Sequence, residues 1–268
     1  MERTKRSERI GVIARILTSS PNRIHTLGEF CELFGSAKST ISEDIDLLKT
    51  SLARFGQGEV QTIAGAAGGV RYRATLPEKK VREVLQRLAS RLSDPARLLT
   101  GGFLYTSDIT SEPDTCEMLG RIIAMRNYER QPQFVLTMET KGIPLALMTA
   151  KMLDVPLVIA RRDTGAYEGS AVKINYSTGS NAMKTMTLSM RAVKPGQRAL
   201  IVDDFMKGGG TLQGMASLMR EMRAEVVGSN VLISTREPEV KRVKDVRALL
   251  LLETADMENN RVKVVPAE

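Results

Sequence analysis

One stretch of twelve residues, LIVDDFMKGGGT at positions 200–211, constrains this chain more than any other. An apolar run typical of a buried strand leads into two carboxylates, Asp203 and Asp204, and then into three glycines. Glycines let successive backbone N–H groups converge on a phosphate, and a helix that begins at Thr211 adds its N-terminal dipole. The carboxylates suit the vicinal hydroxyls of a ribose and can also hold Mg²⁺ through water. The stretch predicts a cradle for ribose 5-phosphate at the carboxyl end of a parallel strand.

Two common phosphate-binding patterns do not fit this stretch. Lys207 precedes the glycines, so the Gly-Lys-Ser/Thr order of the Walker A loop is absent, and the spacing differs from the dinucleotide pattern G-x-G-x-x-G. The alternative without a ligand is a glycine-rich turn whose carboxylates are solvated. The combination of strand, paired aspartates and glycines favours phosphate binding.

Composition limits the remaining possibilities. The 268 residues carry 39 Lys and Arg against 31 Asp and Glu, and the charge of +8 favours anionic partners such as nucleic acid or phosphorylated metabolites. The single histidine, His25, excludes His-rich metal sites and paired histidines in acid–base catalysis. Cys31 and Cys116 form no disulfide framework, and no apolar run approaches the length of a membrane span. We expect a cytoplasmic protein with no membrane partner.

The first 75 residues have the pattern of a winged helix-turn-helix. Apolar residues at helical spacing predict three short helices, the second with Thr26 and Glu29 as a capping box and Gly35 at its end. Two strands at 59–64 and 70–74 form a hairpin behind them. We assign residues 1–75 to a DNA-binding domain.

Residues 76–268 predict an α/β domain. A long amphipathic helix at 78–93 precedes apolar strands that alternate with helices, which is the pattern of a mostly parallel sheet. A hairpin or flexible hood at 170–190 interrupts the alternation. The predicted strands are 134–137, 156–161, 199–203 and 226–233, and the predicted helices are 114–128, 144–153 and 211–224.

Several motifs carry a family resemblance. IVDDFMKGGGT at 201–211 resembles the signature with which type I phosphoribosyltransferases bind phosphoribosyl pyrophosphate (PRPP). It is still more similar to the purine operon repressors of Gram-positive bacteria, which are built on that fold. TMETKGIP at 137–144 resembles the pyrophosphate loop of this family, and segments 158–163 and 172–176 resemble its hood. Segments 36–44, 65–70 and 101–105 also look like the repressors, so the resemblance covers essentially the full chain.

The resemblance implies a fold and a function. The fold is an N-terminal winged helix followed by a type I phosphoribosyltransferase-like α/β domain with a central, mostly parallel sheet. The function is that of a homodimeric repressor of purine biosynthesis and transport genes. PRPP lowers its affinity for double-stranded control DNA, and the guanine alarmone ppGpp maintains that affinity at the same site. No cofactor or directly bound metal is required, although Mg²⁺ can accompany PRPP.

Two residues of the loop argue against catalysis. Enzymes of the hypoxanthine–guanine type carry an aspartate where this chain has Lys207, and a cationic lysine does not serve as a general base. Gly208 replaces the usual Thr or Ser, which removes a hydroxyl contact to phosphate. Adenine-type enzymes manage without the loop aspartate. An active purine phosphoribosyltransferase with an appended DNA-binding domain therefore stays as the alternative.

The predicted effector site joins both loops and their neighbours. Phe205 can stack on a purine or pack in the core, and Lys207 can contact a purine carbonyl or a phosphate. Glu139 repels pyrophosphate unless it points away or acts through a metal. Arg161 and Arg162 are either ligand contacts or a solvated strand end. The predicted effector residues are Tyr105, Thr137, Thr140, Lys141, Gly142, Arg161, Asp203, Asp204, Phe205, Met206, Lys207, Gly208, Gly209, Gly210 and Thr211.

The predicted DNA contacts lie on a basic N-terminal arm, at the start of the third helix and on one face of a wing strand. The hydroxyls and the single lysine at the helix start can anchor phosphates but specify sequence only weakly. The predicted contacts are Arg3, Lys5, Arg6, Lys38, Ser39, Thr40, Ser42, Arg71 and Arg73.

Overall fold

The computed structural model describes residues 4–65, 68–163, 169–177 and 183–267, so the predicted DNA contact Arg3 lies outside the described residues. The chain divides into two compact units. One consists of Met1–Pro77 with Lys151–Asp154, and the other of Glu78–Ala150 with Val155–Glu268. The domain boundary assigned from the sequence stays a prediction.

The first unit contains three helices and a hairpin. The helices are α1 (Arg6–Ser19), α2 (Leu27–Phe34) and α3 (Lys38–Arg54), and the antiparallel strands are β1 (Glu59–Ile63) and β2 (Gly69–Arg73). Each short helix buries one face, as the helical spacing of its apolar residues requires. This is the predicted winged-helix arrangement. Its core includes Ile13, Leu17, Phe30, Ile41, Ile45, Leu48, Val60 and Val70.

Helix α2 begins and ends at the predicted residues. The Thr26 hydroxyl accepts a hydrogen bond from the N–H of Glu29, whose carboxylate accepts one from the N–H of Thr26. Gly35 closes the helix in the left-handed conformation at φ 57°. His25, just before the helix, exchanges two backbone hydrogen bonds with Val70 of β2. These bonds join the wing to the start of α2.

The second unit is built on a six-stranded sheet. In chain order its helices and strands are α4 (Glu78–Leu92), β3 (Leu98–Leu99), β4 (Phe103–Leu104), α5 (Ser107–Thr110), α6 (Pro113–Met125), β5 (Phe134–Met138), α7 (Ile143–Leu153), β6 (Leu157–Ala160), β7 (Ala171–Ser177), β8 (Met183–Ser189), β9 (Arg198–Met206), α8 (Gly210–Glu221), β10 (Glu225–Thr235), β11 (Val246–Asp256) and β12 (Arg261–Pro266).

The sheet has the order β12-β11-β10-β9-β5-β6. All neighbouring pairs are parallel except β11 and β12, which are antiparallel. Neither of these two strands was predicted from the sequence. The apolar run at 248–252 lies in β11, an inner strand in which Leu249, Leu250 and Leu252 are buried. No helix within the described ranges is both long and apolar enough to cross a bilayer.

The predicted interruption at 170–190 is an antiparallel hairpin of β7 and β8. Residues 178–180, at the centre of that prediction, lie outside the described residues. Because parallel strands end at the same edge of a sheet, β5, β6, β9 and β10 bring their following loops together there. That edge carries both loops singled out from the sequence.

Candidate functional site

Asp203 and Asp204 lie near the end of β9, which continues three residues further than predicted, to Met206. Asp203 is 6% exposed, and its Oδ1 accepts a hydrogen bond of 2.9 Å from the N–H of Asp204. Burial raises the pKa of Asp203 well above its usual value, and the Asp204 charge adds to that effect. Burial raises the pKa of Asp204 as well, although the nearby Lys141 ammonium opposes the shift. Among the described residues neither carboxylate is in an ion pair, although the Lys141 ammonium lies near enough to act on the Asp204 charge.

This burial predicts an unusual dependence of stability on pH. Since the folded pKa of Asp203 is raised, its contribution to the free energy of unfolding is fully present below the unfolded pKa near 4 and is lost as pH rises through the folded pKa. We expect Asp203→Asn to stabilise the ligand-free protein at pH 7 and to flatten this dependence, as measured by urea unfolding between pH 4.5 and 7.5.

A different carboxylate, that of Asp108, titrates at a lower pH than this range. The hydrogen bond from Arg97 lowers the pKa of Asp108 to about 2, so stability from Asp108 is lost only as pH falls below about 4. Parallel unfolding curves of the wild type and Asp203→Asn across the range would contradict the assignment to Asp203.

The loop between β5 and α7, residues 139–142, packs directly on this carboxylate. A Cβ atom at Gly142 would lie 2.6 Å from Asp203 Oδ1 and 2.6 Å from Thr137 Oγ1. The Thr137 hydroxyl is fully buried in β5 and has no hydrogen-bond partner among the described residues. Thr140 and Lys141 line the adjoining cavity, whereas Thr137 lies beneath the loop. Glycine is needed at 142 for this close approach.

The contact predicts a large difference between two glycine substitutions. Gly142→Ala must displace the loop or the carboxylate, because Cβ contacts of 2.6 Å do not occur in real proteins. We expect at least an about tenfold loss of PRPP affinity, since small misplacements in a site are costly. Gly11→Ala in α1 is the control, because no described atom lies within 4 Å of the added Cβ and the position is outside the effector site. Equal PRPP dissociation constants for the two variants, measured by calorimetry, would contradict the geometry.

Residues 207–211, here the phosphate loop, connect β9 to α8. Gly209 precedes the helix with φ 82°, and Gly210 is already helical, one residue before the predicted start. No side chain among the described residues caps this helix, so its first N–H groups are available to a ligand. Met206 is largely buried but lines the larger of the two cavities described next, and Thr211 lines both.

Two adjoining cavities, of about 450 and 640 Å³, lie over these loops. The smaller is floored by the carboxylates and the β5–α7 loop, and the larger by the phosphate loop. Both are lined by Phe103, Phe205, Thr211 and Lys184, the last from β8. Tyr176 of β7 and Arg162 line the smaller cavity.

Two of the predicted effector residues do not line a cavity, and in each case a residue close in sequence does. Tyr105 and Arg161 line neither cavity within the described residues, whereas Phe103 and Arg162 do. The Arg161 guanidinium lies 3.7 Å from the Glu139 carboxylate, which also accepts a 2.8 Å hydrogen bond from the N–H of Arg162. The Glu139 charge is therefore directed to the end of β6 and partly neutralised there.

Lys207 has a partner of its own. Its Nζ donates a 2.9 Å hydrogen bond to the carbonyl of Gly101 and lies 5.6 Å from the centre of the Phe103 ring. The Phe103 and Phe205 rings contact each other, with centroids 5.4 Å apart and planes tilted by 47°. Phe205 is therefore part of an aromatic pair at the cavity wall, and Lys207 joins the phosphate loop to the β3–β4 hairpin.

The predicted DNA-binding residues differ in how exposed they are. Lys38, Ser39 and Ser42 are exposed at the start of α3, with Thr40 half-buried beside them. Ala37 gives this helix no side-chain cap, so its first N–H groups are not bonded by the N-cap side chain. The wing residues Arg71 and Arg73 are half-buried, and Lys5 is exposed before α1.

Arg6 is turned towards α3 instead of outward. Its Nε donates to Asp44 at 3.0 Å, and its Nη2 lies 3.6 Å from Glu43. The buried Arg9 donates to the other Asp44 oxygen at 2.6 Å. The carboxylate of Asp44 therefore holds two guanidinium groups, and Arg6 has a structural partner that the sequence analysis did not predict.

Comparison with known proteins assigns both units. Residues 5–74 match the family described as bacterial purine repressor, N-terminal, and residues 107–266 match the phosphoribosyl transferase domain. A probable purine biosynthesis transcriptional regulator of Streptococcus pneumoniae is 40% identical over 97% of this chain and 95% of its own. The chain belongs to this family of purine regulators. The predicted family and fold class are confirmed.

Other family members differ in the direction of control that their names state. The purine biosynthesis transcriptional repressor of Bacillus subtilis is 39% identical over 97% of this chain and 92% of its own. The corresponding transcriptional activator of Lactococcus lactis is 38% identical over 97% and 96%. An adenine phosphoribosyltransferase of Rhodothermus marinus shares the fold, with a TM-score of 0.54 and 22% identity over 63% of this chain and 99% of the enzyme.

Several cavity residues were not in the predicted site. Tyr176 and Lys184 are cross-strand partners in the β7–β8 hairpin, so they share one face of it. Phe103 lies in a segment that resembles the family, but only the fold of the β3–β4 hairpin directs it to the cavity. Pairing register would have identified the first two residues, and sequence alone does not give register. Among the described residues no cluster of three or more His, Cys, Asp or Glu side chains is arranged to hold a metal ion.

Proposed function

We propose that this protein regulates transcription of purine genes by binding operator DNA with an affinity that PRPP lowers. One observation carries the proposal. A buried carboxylate pair that forms no ion pair among the described residues faces the cleft formed by the two cavities, beside a helix N-terminus that no described side chain caps. The other unit of the chain is a winged helix. Hydroxyl donors of a ribose and an adjacent phosphate complement the carboxylate pair and the helix N-terminus.

Different residues of the cleft bind different parts of PRPP. Asp203 and Asp204 accept hydrogen bonds from the ribose hydroxyls, and the N–H groups of the phosphate loop bind the 5-phosphate. Thr140, Lys141, Arg162 and Lys184 surround the smaller cavity and receive the pyrophosphate. The acidic pair also fits water-mediated Mg²⁺, which would neutralise pyrophosphate charge. A guanine alarmone with two pyrophosphate groups competes for the same cations.

We further propose that the protein is a sensor without transferase activity. The Lys207 ammonium donates to the Gly101 carbonyl and offers no acceptor for a purine proton. The alternative, an active purine phosphoribosyltransferase, is favoured by the match to the phosphoribosyl transferase domain. Because a shared fold does not determine the reaction, Lys207 and Gly208 of the phosphate loop are stronger evidence than the fold.

The DNA-binding unit supports a two-fold complex. The exposed start of α3 fits backbone contacts in a major groove, and a homodimer would place two such helices on one operator. PRPP that weakens DNA binding by a given factor must itself be bound more weakly by the DNA complex, by the same factor. We propose repression as the direction of control.

Two assays on one preparation test the proposal. Gel-shift titration of purine-operon control DNA at fixed salt should give a dissociation constant that PRPP raises about 10-fold to 100-fold, a typical allosteric coupling. The same protein with a purine base, PRPP and Mg²⁺ should release no pyrophosphate. An unchanged DNA dissociation constant with PRPP would overturn the sensor role, and pyrophosphate release would restore the enzyme alternative.

A further inference from the structure

The carbonyl groups of the phosphate loop are held from outside the cleft. Residues 241–243, here the clamp segment, follow β10 and pass behind the loop. Lys241 Nζ donates to the Lys207 carbonyl at 2.7 Å, and the N–H of Arg242 donates to the Gly208 carbonyl at 3.0 Å. A peptide whose carbonyl is fixed outward presents the next N–H inward. The clamp segment therefore orients the donors that a phosphate needs.

The clamp segment also sets the space around Gly209. A Cβ atom there would lie 2.8 Å from Val243 Cγ2 and 3.5 Å from the N atom of Arg242. Lys241 reaches the Thr235 hydroxyl at 3.1 Å as well, which ties it to the end of β10. The loop is thus enclosed by backbone and side chains of a segment to which neither the sequence nor the proposed function assigns a role.

Arg242 extends this contact to the β7–β8 hairpin. Its Nη1 donates a 2.8 Å hydrogen bond to the carbonyl of Ser177, the last residue of β7. Ser177 pairs with Met183, so the bond is made at the distal end of the described ladder. The same hairpin lines the cleft with Tyr176 and Lys184. One residue therefore touches the phosphate loop through its backbone and the hairpin through its side chain.

We propose that Arg242 is a positioning residue that holds the end of the hairpin against the phosphate loop, so that loop and hairpin bind one ligand together. This inference rests on the proposed function for the identity of that ligand. Ribose 5-phosphate occupies the phosphate loop and the carboxylates, whereas the pyrophosphate of PRPP extends further into the smaller cavity, which Tyr176 and Lys184 of the hairpin line. Loss of the Arg242 side chain should therefore affect PRPP selectively.

The test compares two ligands and three variants of the full chain. Arg242→Ala keeps the backbone N–H and removes only the hairpin contact. We expect it to weaken PRPP about tenfold, as the loss of one charge-assisted hydrogen bond predicts, and to change ribose 5-phosphate binding less than about twofold. Arg242→Lys retains a donor and should recover part of the affinity. Lys244→Ala, which removes the same charge from an exposed neighbour, should match the wild type for both ligands.

Hydrogen exchange separates this inference from the proposed function. In Arg242→Ala without ligand, amides of β7 and β8 should exchange faster than in Lys244→Ala, because the end of the hairpin is released. If the wild type binds neither sugar phosphate, the proposed function fails and the exchange rates still decide the role of Arg242. Equal exchange in the two variants, or equal weakening of both ligands, would overturn the inference.

Discussion

Replacing Asp203 and Asp204 by asparagine should keep the protein on purine-operon DNA at PRPP concentrations that release the wild type. The substitutions preserve volume but remove the anionic acceptors of the ribose hydroxyls. Two charge-assisted hydrogen bonds are worth about 3–6 kcal/mol together, so PRPP affinity should fall by about 100-fold or more. Gel-shift titration with and without PRPP measures both binding events on one variant.

Stability provides the control for this double variant. Because burial raises the pKa of both carboxylates, their neutral replacements should not destabilise the ligand-free protein at pH 7. DNA affinity without PRPP should equal that of the wild type, since the substitutions lie in the second unit. Release of the variant by PRPP at wild-type concentrations would mean that the ribose is bound elsewhere.

Asp44→Ala should produce a large loss of stability in the first unit. The Asp44 side chain is 1% exposed and neutralises Arg9, which is itself buried. Removing one partner of a buried ion pair leaves an uncompensated charge and costs about 3–5 kcal/mol. Native-state hydrogen exchange of the α1 and α3 amides in the full chain should show this as a lower free energy of opening.

Asp46→Ala is the matched control on the same helix. Asp46 is exposed two residues further along, and its replacement removes the same charge. An exposed position of this kind is expected to change stability by less than about 0.5 kcal/mol. Arg6→Ala should lie between the two, because half of the Arg6 side chain is exposed and Arg9 keeps its bond to Asp44. Equal exchange in the Asp44 and Asp46 variants would show that the ion pair contributes nothing.

Local signals predicted much of this structure from sequence. The capping box at Thr26 and Glu29 and the glycine at 35 act within a few residues, and α2 follows them closely. The strand, acidic pair and glycine run were likewise predictable, because each part depends on its neighbours in the chain. The start of α8 differed by one residue and the end of β9 by three, since the sheet extends the strand past the carboxylates that resembled the start of a loop.

The side-chain partners and strand pairings that were not predicted from the sequence depend on contacts between distant residues. The bonds from Arg6 to Asp44 and from Lys207 to Gly101 join residues 38 and 106 positions apart. Side chains predicted to face DNA or ligand therefore found partners within the protein. Strand β12 alternates charged and apolar residues over a short segment, and its pairing with β11 is fixed by register, which local propensity does not specify.

The Phe103–Phe205 pair has a consequence for the choice of ligand. A planar base inserted between two rings needs twice the separation of a single stacked pair, and these centroids are only 5.4 Å apart. A sugar phosphate without a base can occupy the cleft while the rings stay in contact. A nucleotide must stack on an outer ring face or separate the pair, and separation would also draw Phe103 away from Lys207. The aromatic pair thus excludes a nucleobase from the space between the rings and leaves it only their outer faces.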